Sequence, residues 1–577
     1  MNPQADYKLV NIQQKDLKLR TLRQEILVSE SEKALELILD APSPATLIQS
    51  FPDQDLYYLM HKIGPYDFIP ILSIARSTQW EYILDVEVWD EDRLDTRLMT
   101  LSFDLLFQAD PERFLRWIMK EKPDYFEFYL FKNMDIIIRE HDEVPPEDFD
   151  DYITLDDKFY FRFPDKPRMA EEDRPAHQND QNAWELIEKM VRTVAGMDLS
   201  VFHGLLLETS AILTAVTEEE QFRLKTLRLA EKGFLPAHEA IGIYQPTQLP
   251  FLRKRPQKAL PDKDALNSDI PLPPQFFSRF LEGDDLFVRT LELFEPPFLL
   301  TLEFELAALI NKIISADRIK LRDKEDLEKA ILKACAYLNI GLEVMLERDP
   351  SPERARRIIQ EYFLEDIFRT GSRACITLKT KADNWFKHSL INTKNLPLSF
   401  LGEMFLGVIG GLFIERPLYY DNYVTGKLYR NFKSISDIAR TEKNLNQIIA
   451  LDQVLGTLDV NLKSFKKGIL TYKTLILTLW ARSRLNLSST LEPIHIKVFK
   501  SFFAALFPKS KAEDSSGIQL GDLVLWISET SGKDEVQLGD FFEILTDLIN
   551  ELNEEYAAVD PENIDPRFIP HFLLTNK

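Results

Sequence analysis

A chain of 577 residues with a formal net charge of −23 is long enough for two or more domains. Its charge excludes a nucleic-acid grip, which needs a concentrated basic surface. A hydrophobic content of 45% supplies large cores, while a total of 2 cysteines excludes a disulfide framework. Cys335 and Cys375 are expected to be free, buried thiols in a reducing compartment.

Residues 12–40 read as helix, with Leu22, Ile26 and Leu27 on one face and Leu35, Ile38 and Leu39 on a later one. Asp40-Ala41-Pro42-Ser43-Pro44 breaks the pattern. From 47 to 138 the chain is a run of short amphipathic helices, each cut off by Pro, Gly or Asp. The first shows the rule. Pro52 fits a first helical turn, and Asp53 and Asp55 face the positive end of the dipole. Leu56, Leu59, Met60 and Ile63 form one stripe, and Gly64-Pro65 stops the helix. Asp67, Thr78, Asp110 and Pro123 open further helices of the same kind, with stripes such as Trp80, Ile83, Leu84 and Phe114, Leu115, Trp117, Ile118. Short helices bury their stripes only by stacking, which is the logic of an α-solenoid.

The composition changes at 141–178, an acidic, proline-containing insertion. Within it, residues 152–163 predict a small β-hairpin, because Lys158 to Phe163 alternates aromatic and basic residues. A lone hairpin is marginal in water, so it should lie on the helical body. Helices resume over 179–245, including one that ends at Gly233, a turn through Pro236 and a short helix ending near Tyr244. Residues 246–275 are a proline-rich linker whose Arg253-Lys254-Arg255 and Lys258 should lie against the acidic body. Residues 276–577 form a C-terminal helical domain. The predicted fold class is therefore mainly α: an irregular α-solenoid or superhelical body in two parts (1–140 continuing through 179–245, then 276–577), with a hairpin insertion.

The longest apolar run, Leu396 to Ile414, approaches membrane-span length. Pro397, Glu403 and the glycines 402, 407, 410 and 411 interrupt it, so it reads as a buried helix. With no apolar leader in the first thirty or so residues, the expectation is a soluble, cytoplasmic protein with no membrane span.

Chemistry motifs are sparse. No glycine-rich phosphate loop, HExxH, Cys-x-x-Cys or nucleophile elbow occurs. The 8 histidines are scattered, with no ligand spacing on one helix. No cofactor and no metal site is expected. The one catalytic candidate is Glu403, because a carboxylate buried in an apolar run is pushed toward acid chemistry; an ion-paired or solvent-facing Glu403 is the competing reading. Arg416, Tyr419, Tyr420, Asp421 and Arg430 mix phenols and guanidinium groups in a loop that can bind an anion or peptide, against the alternative of packing anchors. His238-Glu239 is weaker still, since neighbours on a helix do not face each other. Carboxylates at 147–148, 150–151 and 156–157 lack an EF-hand pattern and read as a solvated loop.

Several stretches together carry a resemblance: Asp40-Ala41-Pro42 with Leu47-Ile48-Gln49-Ser50, Asp55-Leu56-Tyr57-Tyr58-Leu59, Arg228 to Phe234, Arg416-Pro417-Leu418-Tyr419-Tyr420, and Phe432-Lys433-Ser434. By these the chain resembles a bacterial family of unknown function that spans nearly its whole length, and the resemblance implies no activity. Residues 47–120 also loosely resemble the superhelical cytosolic N-domain of bacterial magnesium transporters, which implies no metal site here. The leading expectation is a helical scaffold or adaptor for a protein partner. The alternatives are a regulatory or sensory protein binding a small ligand or metal between its halves, and an enzyme of unrecognised type built on Glu403 or the Arg416–Arg430 loop.

Overall fold

Helices account for nearly all regular structure among the described residues, and the short ones near the N-terminus begin and end where local chemistry dictates. A computed structural model describes residues 18–90, 92–139, 152–163, 178–211, 214–246, 251–256, 285–319, 324–347, 349–458, 470–507 and 520–576. These divide into two compact units. The first contains residues 1–245, 253–335 and 351–366; the second contains 246–252, 336–350 and 367–577. The division differs from a boundary at 246–275, because residues 285–335 pack with the N-terminal unit. Most of the linker and of the acidic insertion, with Lys258 and the carboxylates at 147–151, lies outside the described residues.

In the first unit, the helix Asp53–Ile63 ends at Gly64, whose φ of 116° only glycine adopts easily. Leu56, Leu59 and Met60 are buried as expected, but so are Asp55, Tyr57 and Tyr58, so the helix is covered on more than one face. Asp110 caps Pro111–Glu121 by accepting from the Arg113 amide at 3.1 Å. The predicted start at Thr78 shifts slightly: the helix runs Ser77–Glu87, and Gln79 accepts from the Arg76 amide at 2.7 Å.

What joins these helices is a set of long-range caps. Carbonyls at a helix C-terminus lack intrahelical partners. Lys62 donates to the carbonyls of Leu27 (2.9 Å) and Ser29, closing the helix over 18–28. Gln79 Nε2 donates to Ile48 O (3.0 Å) and Phe51 O (2.9 Å), closing Pro44–Gln49. Arg113 donates to Ser73 O (2.9 Å) and Ala75 O, closing Ile69–Ile74, and its guanidinium lies 4.1 Å from the Trp80 ring centroid. Trp80 donates to Leu72 O at 3.0 Å in the same helix. Each of these helix ends thus receives at least one donor from about thirty to forty positions further along the sequence, so neighbouring turns are stitched together as well as packed.

The predicted hairpin is present: Ile153–Thr154 pairs antiparallel with Phe159–Arg162. It is not alone. Asp135–Ile138, read as helix from the sequence, pairs with the other edge of Phe159–Arg162, giving a sheet of 3 strands. Ion pairs then fix the basic cluster. Arg253 grips Asp366 with its amide at 2.7 Å and its guanidinium at 3.0 Å, Lys254 meets Glu361 at 2.6 Å, and Arg255 holds Glu305. This is the predicted placement against acidic residues.

In the second unit, two helical segments cross at glycines. A Cβ on Gly371 would lie 2.0 Å from Tyr337 O, and one on Gly341 would lie 2.1 Å from Ile367 O. The apolar run 396–414 is not one helix. A 3₁₀ turn, Leu398–Leu401, gives way at Gly402 (φ 72°) to the helix Gly402–Phe413. No single helix among the described residues is long and apolar enough to cross a membrane. Both cysteines are free and buried.

Candidate functional site

The glycine helix explains how a cleft forms in the second unit. Its glycines are a landing strip for a hairpin, Tyr419–Tyr420 paired with Tyr429–Arg430. A Cβ at Gly407 would lie 2.3 Å from the Tyr420 ring, and one at Gly410 would lie 2.7 Å from the Tyr429 hydroxyl. Tyr429 then donates to Gly407 O at 3.1 Å. Glycines that seemed to interrupt a hydrophobic helix therefore let two tyrosines approach its backbone.

The loop between the strands is held by a closed charge knot. Arg430 donates from Nε to Asp421 at 2.7 Å and from its two Nη atoms to Asp437 at 2.7 and 3.0 Å. It also stacks on the Tyr419 ring, 4.3 Å from the centroid. Asp421 accepts from both the amide and the hydroxyl of Thr425 at 2.7 Å. Burial opposes its charge, but the Thr425 and Arg430 donors prevail and hold its carboxyl at about 2. Of the five residues predicted to bind a ligand, then, Tyr419, Asp421 and Arg430 satisfy one another as structural anchors. Arg416 pairs with its neighbour Glu415 at 3.2 Å. Only Tyr420 faces an open site.

That site is a cleft of about 990 Å³. Its floor is aromatic: Phe405 and Tyr472 stack with centroids 5.8 Å apart, and Tyr420 and Phe542 line it beside them. The walls come from the helices Ile435–Leu455 and Asp540–Tyr556 and the start of Tyr472–Arg484. Most wall charges are already paired. Lys443 meets Glu543 at 2.8 Å, Lys473 meets Glu551, and Arg440 donates to the Tyr419 hydroxyl at 3.1 Å. Glu403 and Asp547 also line it; both are exposed and, among the described residues, form no ion pair. Glu403 sits in the first turn of Gly402–Phe413, at the solvent-facing start of the run. It is thus not a carboxylate buried in an apolar helix. Burial first, and then the Glu403 charge, raise the Tyr420 phenol above its usual range; burial does the same for Tyr472.

Behind one wall lies a cluster that reading the sequence did not bring together. His571, buried, contacts Glu551 through Nε2 at 3.0 Å and Glu555 through Nδ1 at 3.1 Å, and Nδ1 is 2.7 Å from the Tyr556 hydroxyl. Glu551, Glu555 and His571 place one ligand atom each within 4.8 Å of one another. Burial would raise the Glu551 carboxyl, but Lys473 and His571 outweigh it and the net shift is downward. The usable signal was the Glu551-x-x-x-Glu555 spacing, which puts both carboxylates on one helical face. The other candidates lie elsewhere. His238 and Glu239 are an exposed surface pair 3.8 Å apart. Among the acidic residues of the first unit, Asp53 is tied to Lys232 at 2.7 Å and Glu112 pairs with Arg116.

Fold and site together define a mainly α-helical protein with an open, aromatic-floored cleft in its C-terminal unit. The chain belongs to a family of unknown function (DUF6178), which matches it over residues 11–575. No curated protein and no solved structure matches it.

Proposed function

We propose that this protein is an interaction protein, a helical scaffold or adaptor, that receives a basic segment of a protein partner in the C-terminal cleft. The observation that carries the reading is the cleft itself. At about 990 Å³ it is the size of a binding site, and its aromatic floor offers π faces to cationic side chains. Among the described residues, the lining charges without an ion pair are the carboxylates of Glu403 and Asp547 and the guanidinium of Arg440, which is held on the Tyr419 hydroxyl. A Lys or Arg side chain seated over Tyr420 and Tyr472 meets both carboxylates. The formal net charge of −23 steers basic partners in the same direction. The exposed tip of the neighbouring loop adds Tyr423 and Val424, 64% and 84% exposed, with Tyr423 held at a φ of 62°. An aromatic presented to solvent rather than packed supports a docking role. A reducing, cytoplasmic setting accords with the two free thiols.

The test is fluorescence anisotropy of short labelled peptides, Lys/Arg-rich, acidic and neutral, titrated with the full chain. Basic peptides bind best, and Glu403→Lys or Asp547→Lys weakens them by about tenfold while leaving the melting temperature in place. Equal binding of acidic and basic peptides, or indifference to both charge reversals, refutes the proposal.

A further inference from the structure

We propose that Glu551, Glu555 and His571 hold a divalent transition-metal ion at the inner wall of the cleft, a site that goes beyond the peptide-binding reading and does not depend on it. Ligands bonded to such an ion at about 2.0–2.2 Å lie about 3 Å apart when adjacent. The His571 Nε2 and Glu551 Oε1 atoms are already 3.0 Å apart, and all three ligand atoms fall within 4.8 Å. Glu555 now meets the other ring nitrogen, Nδ1, at 3.1 Å, so closing the set requires its 45% exposed side chain, one helical turn from Glu551, to swing from Nδ1 to the Nε2 side.

The surroundings are those of a prepared ligand set. A ligating histidine needs its second nitrogen fixed by a hydrogen bond, which sets the tautomer and the ring plane. Here Nδ1 lies 2.7 Å from the Tyr556 hydroxyl in a buried contact, leaving Nε2 to face the ion. Ligating carboxylates are likewise oriented from outside, and Lys473 bonds the other oxygen of Glu551. Tyr556 and Lys473 thus hold two of the three ligands from behind. Burial of His571 removes competing water from one side, while Glu551 lines the cleft and leaves coordination positions open toward it. One imidazole and two carboxylates with no thiolate suit Zn²⁺, Mn²⁺ or Fe²⁺, not soft Cu⁺. Without an ion, the same atoms form an ion-paired staple, His571 bridging two carboxylates; the experiment separates the two.

The full chain, stripped with chelator, is titrated with Zn²⁺ and Mn²⁺ by calorimetry and with Co²⁺ by visible absorption. One ion per chain is expected, with cobalt bands of a nitrogen–oxygen site. Glu555→Gln, at an exposed position where folding is not at risk, weakens binding at least about tenfold, and His571→Asn abolishes the cobalt bands. Tyr556→Phe, which touches no ligand atom directly available to the ion, weakens affinity by about 10–100-fold. Absence of stoichiometric binding of all three ions overturns the proposal in favour of the staple, and so does binding that Glu555→Gln and His571→Asn leave unchanged. Because the readout is ion affinity, failure here leaves the peptide result standing, and the reverse also holds.

Discussion

Replacing Arg430 with alanine should collapse the wall that carries Tyr420. Among the described residues, the guanidinium is the only cation on two carboxylates, Asp421 and Asp437, that are 4% and 7% exposed. Removing one partner of a buried ion pair strands the other charge and costs about 3–5 kcal/mol. Thr425 still donates to Asp421 and the Lys433 amide to Asp437, so the lower end, about 3 kcal/mol, is expected. For a unit of this size that is a fall in Tm of roughly 6–12 °C. Arg430→Lys keeps the charge but loses the fork that spans both carboxylates, and should cost about half as much. The assay is urea denaturation followed by tryptophan fluorescence, with calorimetry to separate the two units' transitions. A variant in which Arg430→Ala is combined with Asp421→Asn and Asp437→Asn should recover part of the loss, because no buried charge is then left alone. The sign of the acid response follows too. Asp421 is depressed from 3.8 to about 2, so its contribution is present above pH 3.8 and disappears as pH falls through about 2. A cost under about 1 kcal/mol, or no recovery in the triple variant, would refute the view that the knot holds the hairpin.

Glu127, raised to about 7 chiefly by burial and then by its neighbour Glu208, works in the opposite direction. Its stabilising share is complete below the unfolded value near 4.5 and is lost as pH rises through 7, so Glu127→Gln should gain about 1–2 kcal/mol at pH 8 and almost nothing at pH 5, by denaturation at both pH values. The glycines make a paired test of the helix crossing. Gly371→Ala drives a methyl to 2.0 Å from the Tyr337 carbonyl and should cost about 3 kcal/mol, whereas Gly204→Ala meets nothing within 4 Å and should gain about 0.5–1 kcal/mol, both read as shifts in denaturation midpoint.

Much of the helical body was legible because its signals are local. Pro52-Asp53, the stripe through Leu56 and Met60, and Gly64-Pro65 specify a helix without reference to anything distant, and Asp53–Ile63 forms. The same holds for Gly233, Pro236 and the short helix that follows, and for the hairpin with its alternating aromatic residues. What escaped is non-local. Asp135–Ile138 reads as a helical extension because its apolar run carries no period, and it becomes a strand only by meeting Phe159–Arg162. For Glu403 the apolar run left a buried and a solvent-facing carboxylate both open, and a break at Gly402 turns it to solvent. Arg416, Tyr419, Asp421 and Arg430 were rightly singled out as unusual, but charge and aromatic content alone do not tell a structural knot from a ligand site. The Glu551–His571 contact joins a helix to a tail segment of short turns that has no periodic pattern.

The side-chain caps of the N-terminal unit also set a timetable for synthesis. The helix over 18–28 is finished by Lys62, which pairs with Ser29 across a separation of 33 residues. Pro44–Gln49 waits for Gln79, 31 residues beyond Ile48, and Ile69–Ile74 waits for Arg113, 40 residues beyond Ser73. A chain made at about 5–20 residues per second leaves each of these helix ends unfinished for about 2–8 s after its own last residue is added. During that interval the newest helices are short segments that do not hold their shape alone. Completion of these three helix ends therefore trails translation by 31 to 40 residues, each later side chain locking an earlier helix in the manner of a ratchet.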